Sequence, residues 1–138
     1  MKKVMFLCTA NSCRSQVAEG FAKELGKGLV EVYSAGLMAA GVQARAIAVM
    51  KEIGIDISNQ KSKVIDEDFL KKMDIVVTLC GYAEDLCPRT PHEIKRIHWP
   101  IKDPVGATGT EEEIMNEFRR ARDEIKEKVQ TLIREITA

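Results

Sequence analysis

The sequence predicts an α/β fold in a single domain, with a four-stranded parallel sheet flanked by helices. Short apolar runs of strand length alternate along the chain with segments whose apolar residues recur at the helical period. This alternation favours a parallel sheet covered by helices on both faces. The 138 residues suit one compact domain over 1–138, and no repeat or linker divides them.

The individual elements follow from local patterns. The apolar run 3–7 predicts a first strand that ends at Cys8. The helical period over 15–25 predicts a helix that Gly26 and Gly28 terminate. The next predicted elements are a strand over 29–33 closed by Ser34-Ala35-Gly36, a helix over 43–53 ended by Gly54, a short helix over 66–72, a strand over 74–79 and a weaker strand over 94–99.

The C-terminal segment predicts a long amphipathic helix that covers the core. Thr110 and Glu113 have the spacing of a capping box at its start. Its apolar stripe comprises Ile114, Phe118, Ala121, Ile125, Val129, Leu132 and Ile136. The stretch 81–93, by contrast, is predicted to be irregular; it carries a cysteine and two prolines, Pro88 and Pro91, which make its second half a poor helix. An irregular stretch of that length in a compact domain is usually functional or mobile.

The charge balance and apolar runs restrict the class of partner. Lys plus Arg and Asp plus Glu number 21 each, so the basic excess that nucleic acids or anionic membranes require is missing. The N-terminal apolar run 4–8 is shorter than the apolar region of a signal peptide. No run approaches the ~18 apolar residues of a membrane span. We therefore expect a cytoplasmic protein, in which the four cysteines are reduced thiols.

The loop 8–15, CTANSCRS, lies between the first strand and the first helix. Backbone N–H groups converge in such a turn, and the helix N-terminus adds partial positive charge. The loop therefore suits a tetrahedral oxyanion and favours the thiolate of Cys8 as its attacking group. Arg14 can fork two oxygens of the anion, Ser15 can donate a hydrogen bond to the thiolate, and Asn11 tolerates a left-handed backbone. The alternative is a buried cysteine that ends a strand and an arginine on a surface helix.

This loop resembles the signature of the low molecular weight protein tyrosine phosphatase fold. The strings CTANSCRSQVAEG at 8–20, YSAG at 33–36, GIDIS at 54–58, VVTLCG at 76–81 and HWPIKDP at 98–104 resemble those of the thioredoxin-coupled arsenate reductases on that fold. The resemblance covers nearly the whole chain and implies a single catalytic domain that reduces arsenate to arsenite. The substrate-binding residues that it implies are Thr9, Ala10, Asn11, Ser12, Cys13 and Arg14. Ser34 resembles a position that supports the conformation of Asn11.

Two further cysteines separate reduction from hydrolysis. Phosphatase chemistry needs Cys8, Arg14 and a general acid, and it leaves Cys80 and Cys87 without a role. Reduction of arsenate needs two electrons, which a dithiol supplies when it becomes a disulfide. The resemblance implies a relay through Cys8–Cys80 and then Cys80–Cys87, with thioredoxin as the external reductant. The alternatives are a core cysteine at Cys80 and an incidental loop thiol at Cys87, and we expect Cys13 to have a packing role.

Asp103-Pro104 matches the Asp-Pro of the mobile general acid in this fold. A carboxyl group within hydrogen-bond reach could protonate the leaving oxygen, and the proline biases Asp103 to an extended backbone. The alternative is a plain turn aspartate. Phosphatases of this fold typically follow the Asp-Pro with tyrosines, whereas Val105-Gly106 follows here. This difference favours a small inorganic anion over phosphotyrosine.

No metal and no cofactor are expected. His92 and His98 lack the paired spacing of a zinc site with the cysteines. In some relatives a potassium ion binds near Asn11 with ligands from a Thr-Ser-Asp segment, where this chain has Lys61-Ser62-Lys63. Because an ammonium repels a cation, one hypothesis is that Lys63 supplies the positive charge instead. The alternative is that both lysines are solvated surface charges.

Three functions compete on the sequence alone. The leading one is a monomeric arsenate reductase that acts on arsenate, is regenerated by thioredoxin and has weak phosphatase activity. The second is a low molecular weight tyrosine phosphatase that uses Cys8, Arg14 and Asp103. The third is a thiol redox sensor or an anion-binding regulator, against which Arg14 and Asp103 argue, because sensing requires neither an arginine fork nor a general acid.

Overall fold

The computed structural model describes residues 1–87 and 90–138. The strands are β1 (Lys2–Cys8), β2 (Val30–Gly36), β3 (Ile75–Thr78) and β4 (Lys95–His98). The helices are α1 (Arg14–Leu25), α2 (Ala44–Lys51), α3 (Glu67–Leu70), α4 (Gly81–Leu86) and α5 (Glu111–Thr137), with a 3-10 turn at Pro104–Gly106. Each element predicted from local patterns is present, with its boundaries shifted by a few residues.

The four strands form one parallel sheet, as the sequence predicts, and their order in it is β2-β1-β3-β4. The last five residues of β1 and all of β3 are buried, so side chains on both faces of these central strands are covered. The carboxyl ends of parallel strands meet at one edge, and ligands in such folds bind there, where the strand order reverses. The N–H of Leu79 donates to the carbonyl of Leu7 at 2.9 Å. The loops that follow β1 and β3 therefore start side by side.

Strand β2 is longer than the prediction. Ser34-Ala35-Gly36, expected to close the strand, continues it through Gly36. Ser34 pairs with Phe6, and Gly36 pairs with Cys8. Pairing with the buried strand β1 outweighs the low intrinsic strand preference of Gly36. The extension brings Ser34 and Gly36 beside the loop 8–15, called the oxyanion loop below.

The expectation of an irregular stretch over 81–93 is wrong for its first half. Residues Gly81–Leu86 form helix α4, which contacts β1 and β3. The sulfur of Cys80 caps this helix by accepting the N–H of Ala83 at 3.3 Å. The two prolines argue against a helix only in the second half of the stretch, and no proline lies within α4. Pro88, on which part of this prediction rests, lies outside the described residues, and so does Arg89.

Helix α5 matches its predicted pattern. The N–H of Glu113 donates to Thr110 Oγ1 at 3.1 Å, and the Thr110 N–H donates to Glu113 Oε1 at 3.2 Å, which completes the capping box. Most of the apolar stripe is buried where α5 packs on α1 and α2, namely Phe118, Ala121, Ile125, Val129 and Leu132. Among the residues that the structure describes, no helix is long and apolar enough to cross a membrane.

Gly36 couples the end of β2 to the oxyanion loop. Its N–H donates to the carbonyl of Lys63 at 2.8 Å, and its carbonyl accepts the N–H of Ile65 at 3.0 Å. A Cβ atom at Gly36 would lie 2.7 Å from the backbone nitrogen of Asn11 and 2.6 Å from the carbonyl oxygen of Met38. Both neighbours are backbone atoms, so the loop itself would have to move.

Gly36→Ala should therefore destabilise the protein by about 1–3 kcal/mol, the usual cost of forcing extra volume into a packed site. Urea denaturation of the reduced protein measures this change. Gly106→Ala is the matched control, because no described atom lies within 4 Å of a Cβ built at Gly106. Its effect should stay within about 0.5 kcal/mol. Equal stabilities of the two variants would contradict the close approach of Gly36 to the loop.

Candidate active site

A cavity of about 490 Å³ opens at the carboxyl ends of β1 and β3. Its lining brings together residues from three separate segments, namely Cys8, Thr9, Ala10, Ser12, Cys13, Arg14, Cys80, Gly81, Asp103 and Val105. Of the other residues singled out in the sequence, Asn11, Ser15 and Ser34 are buried next to the loop. Cys87 is also buried but does not line the cavity.

Cys8 lies at the bottom of this cavity, where β1 ends. It is 3% exposed, and its sulfur lies 2.9 Å from the hydroxyl oxygen of Ser15 in the first turn of α1. The loop between them leads into the N-terminus of a 12-residue helix. The partial positive charge of such a terminus favours negative charge beside it, both on a sulfur and on a bound oxyanion. This arrangement suits nucleophilic attack on an anion.

Asn11 holds the loop in shape from behind. It is fully buried and has a positive φ of 48°, a left-handed conformation that asparagine tolerates better than most residues. Its Nδ2 donates to Ser15 Oγ at 2.8 Å and to Ser34 Oγ at 3.0 Å, while its Oδ1 accepts the backbone N–H of Lys63 at 2.8 Å. The side chain thereby ties β2 and the segment at Lys63 to the first turn of α1.

The side chain of Arg14 is braced by backbone carbonyls. Its Nη1 donates to the carbonyl oxygens of Leu79 at 3.1 Å and Ile101 at 2.8 Å. Its Nη2 lies 3.5 Å from Oδ2 of Asp103. These contacts join the segments after β3 and β4 to the loop. The Nε and Nη2 hydrogens are the ones that can bind an oxyanion in the cavity.

Asp103 stands at the rim of the cavity. Its Oδ1 accepts the N–H of Val105 at 3.0 Å, and its side chain is 49% exposed. Its backbone is extended, with φ −71° and ψ 117°, as expected for a residue before proline. The carboxyl group therefore faces Arg14 and remains accessible to solvent, a position suited to proton transfer.

Cys13 lines the same cavity as a poor nucleophile. Burial raises the pKa of the Cys13 thiol to about 12, and the negative charges of Asp103 and Cys8 act in the same direction against the opposing effect of Arg14. The thiol is 5% exposed and stays protonated at neutral pH. This chemistry agrees with a packing role rather than a reactive one.

Cys80 lines the cavity from the segment that follows β3. Its sulfur lies 3.0 Å from the hydroxyl oxygen of Thr9 and accepts the N–H of Ala83. Cys87 follows the far end of α4, where its N–H donates to the carbonyl of Ala83 at 3.0 Å. All four cysteines are among the described residues, and no disulfide joins them.

Two buried polar residues near the site were missed by the sequence analysis. Gln16 is fully buried, and its Nε2 donates to the carbonyls of Asn11 at 3.0 Å and Lys61 at 3.1 Å. Glu19 is 3% exposed. It accepts a hydrogen bond from Ser34 and forms an ion pair with Lys23. The available signal was the i, i+4 spacing of Ser15 and Glu19 on the helix that follows the loop.

The segment Lys61-Ser62-Lys63 does not fit a bound potassium ion. The ammonium of Lys63 donates to the carbonyl of Lys61 at 2.7 Å, and Ser62 Oγ donates to the carbonyl of Asn11 at 2.6 Å. Protein donors thus take the oxygens that a cation would need, and both lysines are exposed. Among the side chains that the structure describes, no group of three or more His, Cys, Asp or Glu residues could hold a metal ion.

The similarity to known proteins extends over the whole chain. The family model described as low molecular weight phosphotyrosine protein phosphatase matches residues 3–138. An arsenate reductase of Halalkalibacterium halodurans is 54% identical over 130 residues, which cover 94% of each chain. An arsenate reductase of Bacillus subtilis is 56% identical over 124 residues, which cover 90% of this chain and 89% of that relative.

Solved structures agree with this similarity. An arsenate reductase in the phosphate binding state has a TM-score of 0.81 at 44% identity and covers 99% of each chain. A low molecular weight protein tyrosine phosphatase from T. tengcongensis has a TM-score of 0.83 at 27% identity, with 98% of this chain and 99% of that chain covered. Because the family model spans nearly the whole sequence and the relatives align over most of their length, the chain belongs to the low molecular weight phosphotyrosine protein phosphatase family.

Proposed function

We propose that this protein is an arsenate reductase, which converts arsenate to arsenite through Cys8, Cys80 and Cys87. The observation that carries the proposal is the presence of Cys80 in the same cavity as Cys8, because a hydrolase needs no second thiol beside its nucleophile. The names of the similar relatives support the same substrate. Thioredoxin, acting in the cytoplasm on the monomeric enzyme, is the proposed source of electrons.

The first step forms a covalent adduct without a change of oxidation state. Arsenate binds in the cavity against the backbone of residues 9–14 and the Nε and Nη2 hydrogens of Arg14. The Cys8 thiolate attacks arsenic, an As–S bond forms, and one As–O bond breaks. The departing oxygen is a hydroxyl of the arsenate, and Asp103 gives it one proton, so that it leaves as water. Phosphatase chemistry would follow the same course up to this point.

The second step reduces arsenic. The sulfur of Cys80 attacks the sulfur of Cys8, a disulfide forms, and the As–S bond breaks with its electron pair on arsenic. As(V) becomes As(III), and arsenite leaves. The hydroxyl of Thr9 and the N–H of Ala83 lie within hydrogen-bond distance of the Cys80 sulfur, and both can stabilise negative charge there before the attack.

The third step moves the oxidation away from the cavity. The sulfur of Cys87 attacks Cys80, which releases Cys8 as a thiolate and leaves a Cys80–Cys87 disulfide. Cys80 and Cys87 flank opposite ends of α4. Seven helical residues rise about 10 Å along the axis, whereas the Cα atoms of a disulfide lie about 4.4–6.8 Å apart. Helix α4 must therefore unwind before this bond can form, and the disulfide then lies where a dithiol protein can reduce it.

A low molecular weight phosphatase is the second candidate function. The shared loop, Arg14 and Asp103 favour it. Val105 lines the cavity at the place where an aromatic wall would hold an aryl substrate. We therefore expect the cavity to bind an aryl phosphate more weakly than it binds a small inorganic anion. We propose that hydrolysis is a weak side activity.

The three-cysteine relay predicts different defects for three serine variants. Wild-type protein with thioredoxin, thioredoxin reductase and NADPH should oxidise NADPH only when arsenate is added. Cys8→Ser and Cys80→Ser should release no arsenite, because the adduct cannot form or cannot be resolved. Cys87→Ser should release about one arsenite per enzyme and then stop as the Cys8–Cys80 disulfide. Arsenite release is quantified alongside NADPH absorbance.

Cys13→Ser is the matched control for these variants. It removes a thiol from the same cavity but leaves the relay complete, so release of arsenite should continue beyond one per enzyme. Sustained turnover by Cys87→Ser would contradict the third step alone. Hydrolysis of an aryl phosphate that is lost in Cys8→Ser but kept in Cys80→Ser would support the shared first step.

Asp103→Asn should lower kcat for arsenate reduction by about a hundredfold, within the usual contribution of a general acid. The amide oxygen can still accept the N–H of Val105, so the turn is retained. Steady-state kinetics in the coupled assay measure the change. Asp68→Asn, which alters an exposed carboxylate on α3, is the control and should match the wild type. An unchanged kcat in Asp103→Asn would argue for a plain turn residue.

The reduced protein should react with iodoacetamide at Cys8 much faster than at Cys13. With its pKa raised to about 12, the Cys13 thiol remains protonated as the pH rises through 8, and only the thiolate is alkylated. Mass spectrometry of the tryptic peptide 4–14, which contains both cysteines, distinguishes the two sites by fragmentation. Equal rates at pH 8 would contradict the inert role of Cys13.

A further inference from the structure

The peptide that precedes Asp103 is held by an arginine of helix α5. Nη2 of Arg120 donates to the carbonyl oxygen of Lys102 at 3.1 Å. The carbonyl of Ile101, one residue earlier, accepts from Nη1 of Arg14 at 2.8 Å. Guanidinium groups from two different helices therefore bind consecutive carbonyls directly before the carboxylate at the rim of the cavity.

The guanidinium of Arg120 is itself fixed in orientation. Its Nε lies 3.2 Å from Oε2 of Glu117, and its Nη1 lies 3.0 Å from Oε2 of Glu124, each about one turn away on α5. Partly exposed ion pairs of this kind contribute little to stability. Because the guanidinium is planar, however, two bound nitrogens set the direction of the third, which is the one that reaches Lys102.

The turn 102–108 has open space on the side that faces α5. A second cavity of about 590 Å³ lies there, and Asp103 lines both this cavity and the one that contains Cys8. Except for Pro104, residues 102–106 are exposed. The lining of the second cavity includes Lys102, Gly106 and Thr108 from the turn and Glu113 and Glu117 from α5. The carboxyl group of Asp103 thus has room to turn away from Cys8.

Few contacts of the Asp103 side chain oppose such a movement. Its Oδ2 lies 3.5 Å from Nη2 of Arg14, and the side chain is 49% exposed, so this ion pair is a weak restraint. Its Oδ1 accepts the N–H of Val105, which belongs to the same turn and would move with it. Proton transfer in the first step requires the carboxyl group within hydrogen-bond reach of the departing oxygen. The backbone before Asp103 is therefore the place where its position can be fixed.

We propose that Arg120 is a positioning residue for the first step: its hydrogen bond to the carbonyl of Lys102 keeps the carboxyl group of Asp103 at the cavity of Cys8. The proposal rests on the proposed function in taking Asp103 as the general acid. Arg120 lines neither the cavity nor the turn and acts through one peptide group.

The test is the rate of arsenite release in a single turnover of pre-reduced enzyme without thioredoxin. Arg120→Met keeps an unbranched side chain that suits a helix but removes every N–H donor. Its rate at saturating arsenate should fall by about threefold to tenfold, because a small displacement of a reacting group is costly. The arsenate concentration that gives half of this rate should change by less than about twofold, because the loop 8–15 and Arg14 are unaltered.

The same substitution in Asp103→Asn separates positioning from a general loss of structure. If Arg120 acts through the carboxyl group, Arg120→Met should change the rate of Asp103→Asn by less than about twofold. An unchanged rate in Arg120→Met alone overturns the proposal, and so does a fall by the same factor in both backgrounds. Thermal melting checks folding. If Arg120→Met does not fold, Arg120→Gln, whose shorter side chain ends before the guanidinium would, is judged by the same outcomes.

Glu124→Gln is the matched control. It removes an ion pair from the same guanidinium but leaves the donor to Lys102 in place. Its single-turnover rate should match that of the wild type. A fall equal to that of Arg120→Met would assign the effect to the charges on α5 and overturn the role of the hydrogen bond to the turn.

Hydrolysis of two aryl phosphates tests the same role without arsenate. Phenolate needs a proton as it leaves far more than p-nitrophenolate does, so a misplaced general acid slows phenyl phosphate more than p-nitrophenyl phosphate. Arg120→Met and Asp103→Asn should both show this difference. Equal losses on the two substrates in Arg120→Met would contradict the positioning role.

The two proposals can fail separately. A wild-type protein that releases no arsenite but hydrolyses aryl phosphates, with the unequal losses in Arg120→Met, would contradict arsenate reduction alone. Arsenite release that Arg120→Met leaves unchanged would contradict the positioning role alone. A wild-type protein that acts on none of the three substrates would contradict both.

Discussion

The parallel pairing of β1 with β3 is the constraint on which the site depends. These strands are adjacent in the sheet although the chain between them contains β2, α2 and α3. Their carboxyl ends therefore meet, and the loop that begins at Cys8 comes to lie beside the residue pair Leu79-Cys80. Shifting either strand by one residue would turn its side chains to the other face of the sheet. The hydrogen bonds that set the register of β1 and β3 thus also bring Cys8 and Cys80 to the same cavity.

The oxyanion loop is held by polar contacts, whose role apolar packing in the core could not take over. Asn11 has a left-handed backbone, and its side chain uses its oxygen and both hydrogens of its nitrogen. Every buried side-chain nitrogen or oxygen atom within the described residues has a hydrogen-bond partner. A fully satisfied network is rigid, because each group that breaks its bond leaves another unpaired. This rigidity keeps the backbone of the loop in one conformation before any anion binds.

The same cavity combines a rigid half with a half that would have to move in the proposed relay. Cys8, Arg14 and Asn11 are anchored to strands and backbone carbonyls, which suits the binding and attack of a small anion. Helix α4 has only six residues, and its N-cap is the sulfur of Cys80 itself. Any reaction at that sulfur removes the cap. The chemistry of Cys80 is thereby coupled to the stability of the helix that separates it from Cys87.

Local sequence determined most of the elements and the identity of the oxyanion loop. Periodicity and capping residues predicted α1 and α5, because those signals act between neighbours in the chain. They predicted β2 too short, because Ser34 and Gly36 become strand only through pairing with β1. They also missed α4, which packs against β1 and β3 in the first half of a stretch that was predicted to be irregular.

The arrangement of the site was decided by the tertiary structure. The sequence by itself identified Cys8 and Arg14 from the pattern of their loop, and it identified Cys80 and Asp103 from the resemblance to arsenate reductases on this fold. Only the fold brings them around one cavity, and only the fold brings Arg120 of α5 to the carbonyl that precedes Asp103. Such contacts depend on strand order and register. Those are set by long-range hydrogen bonds and burial, which no short segment of sequence encodes.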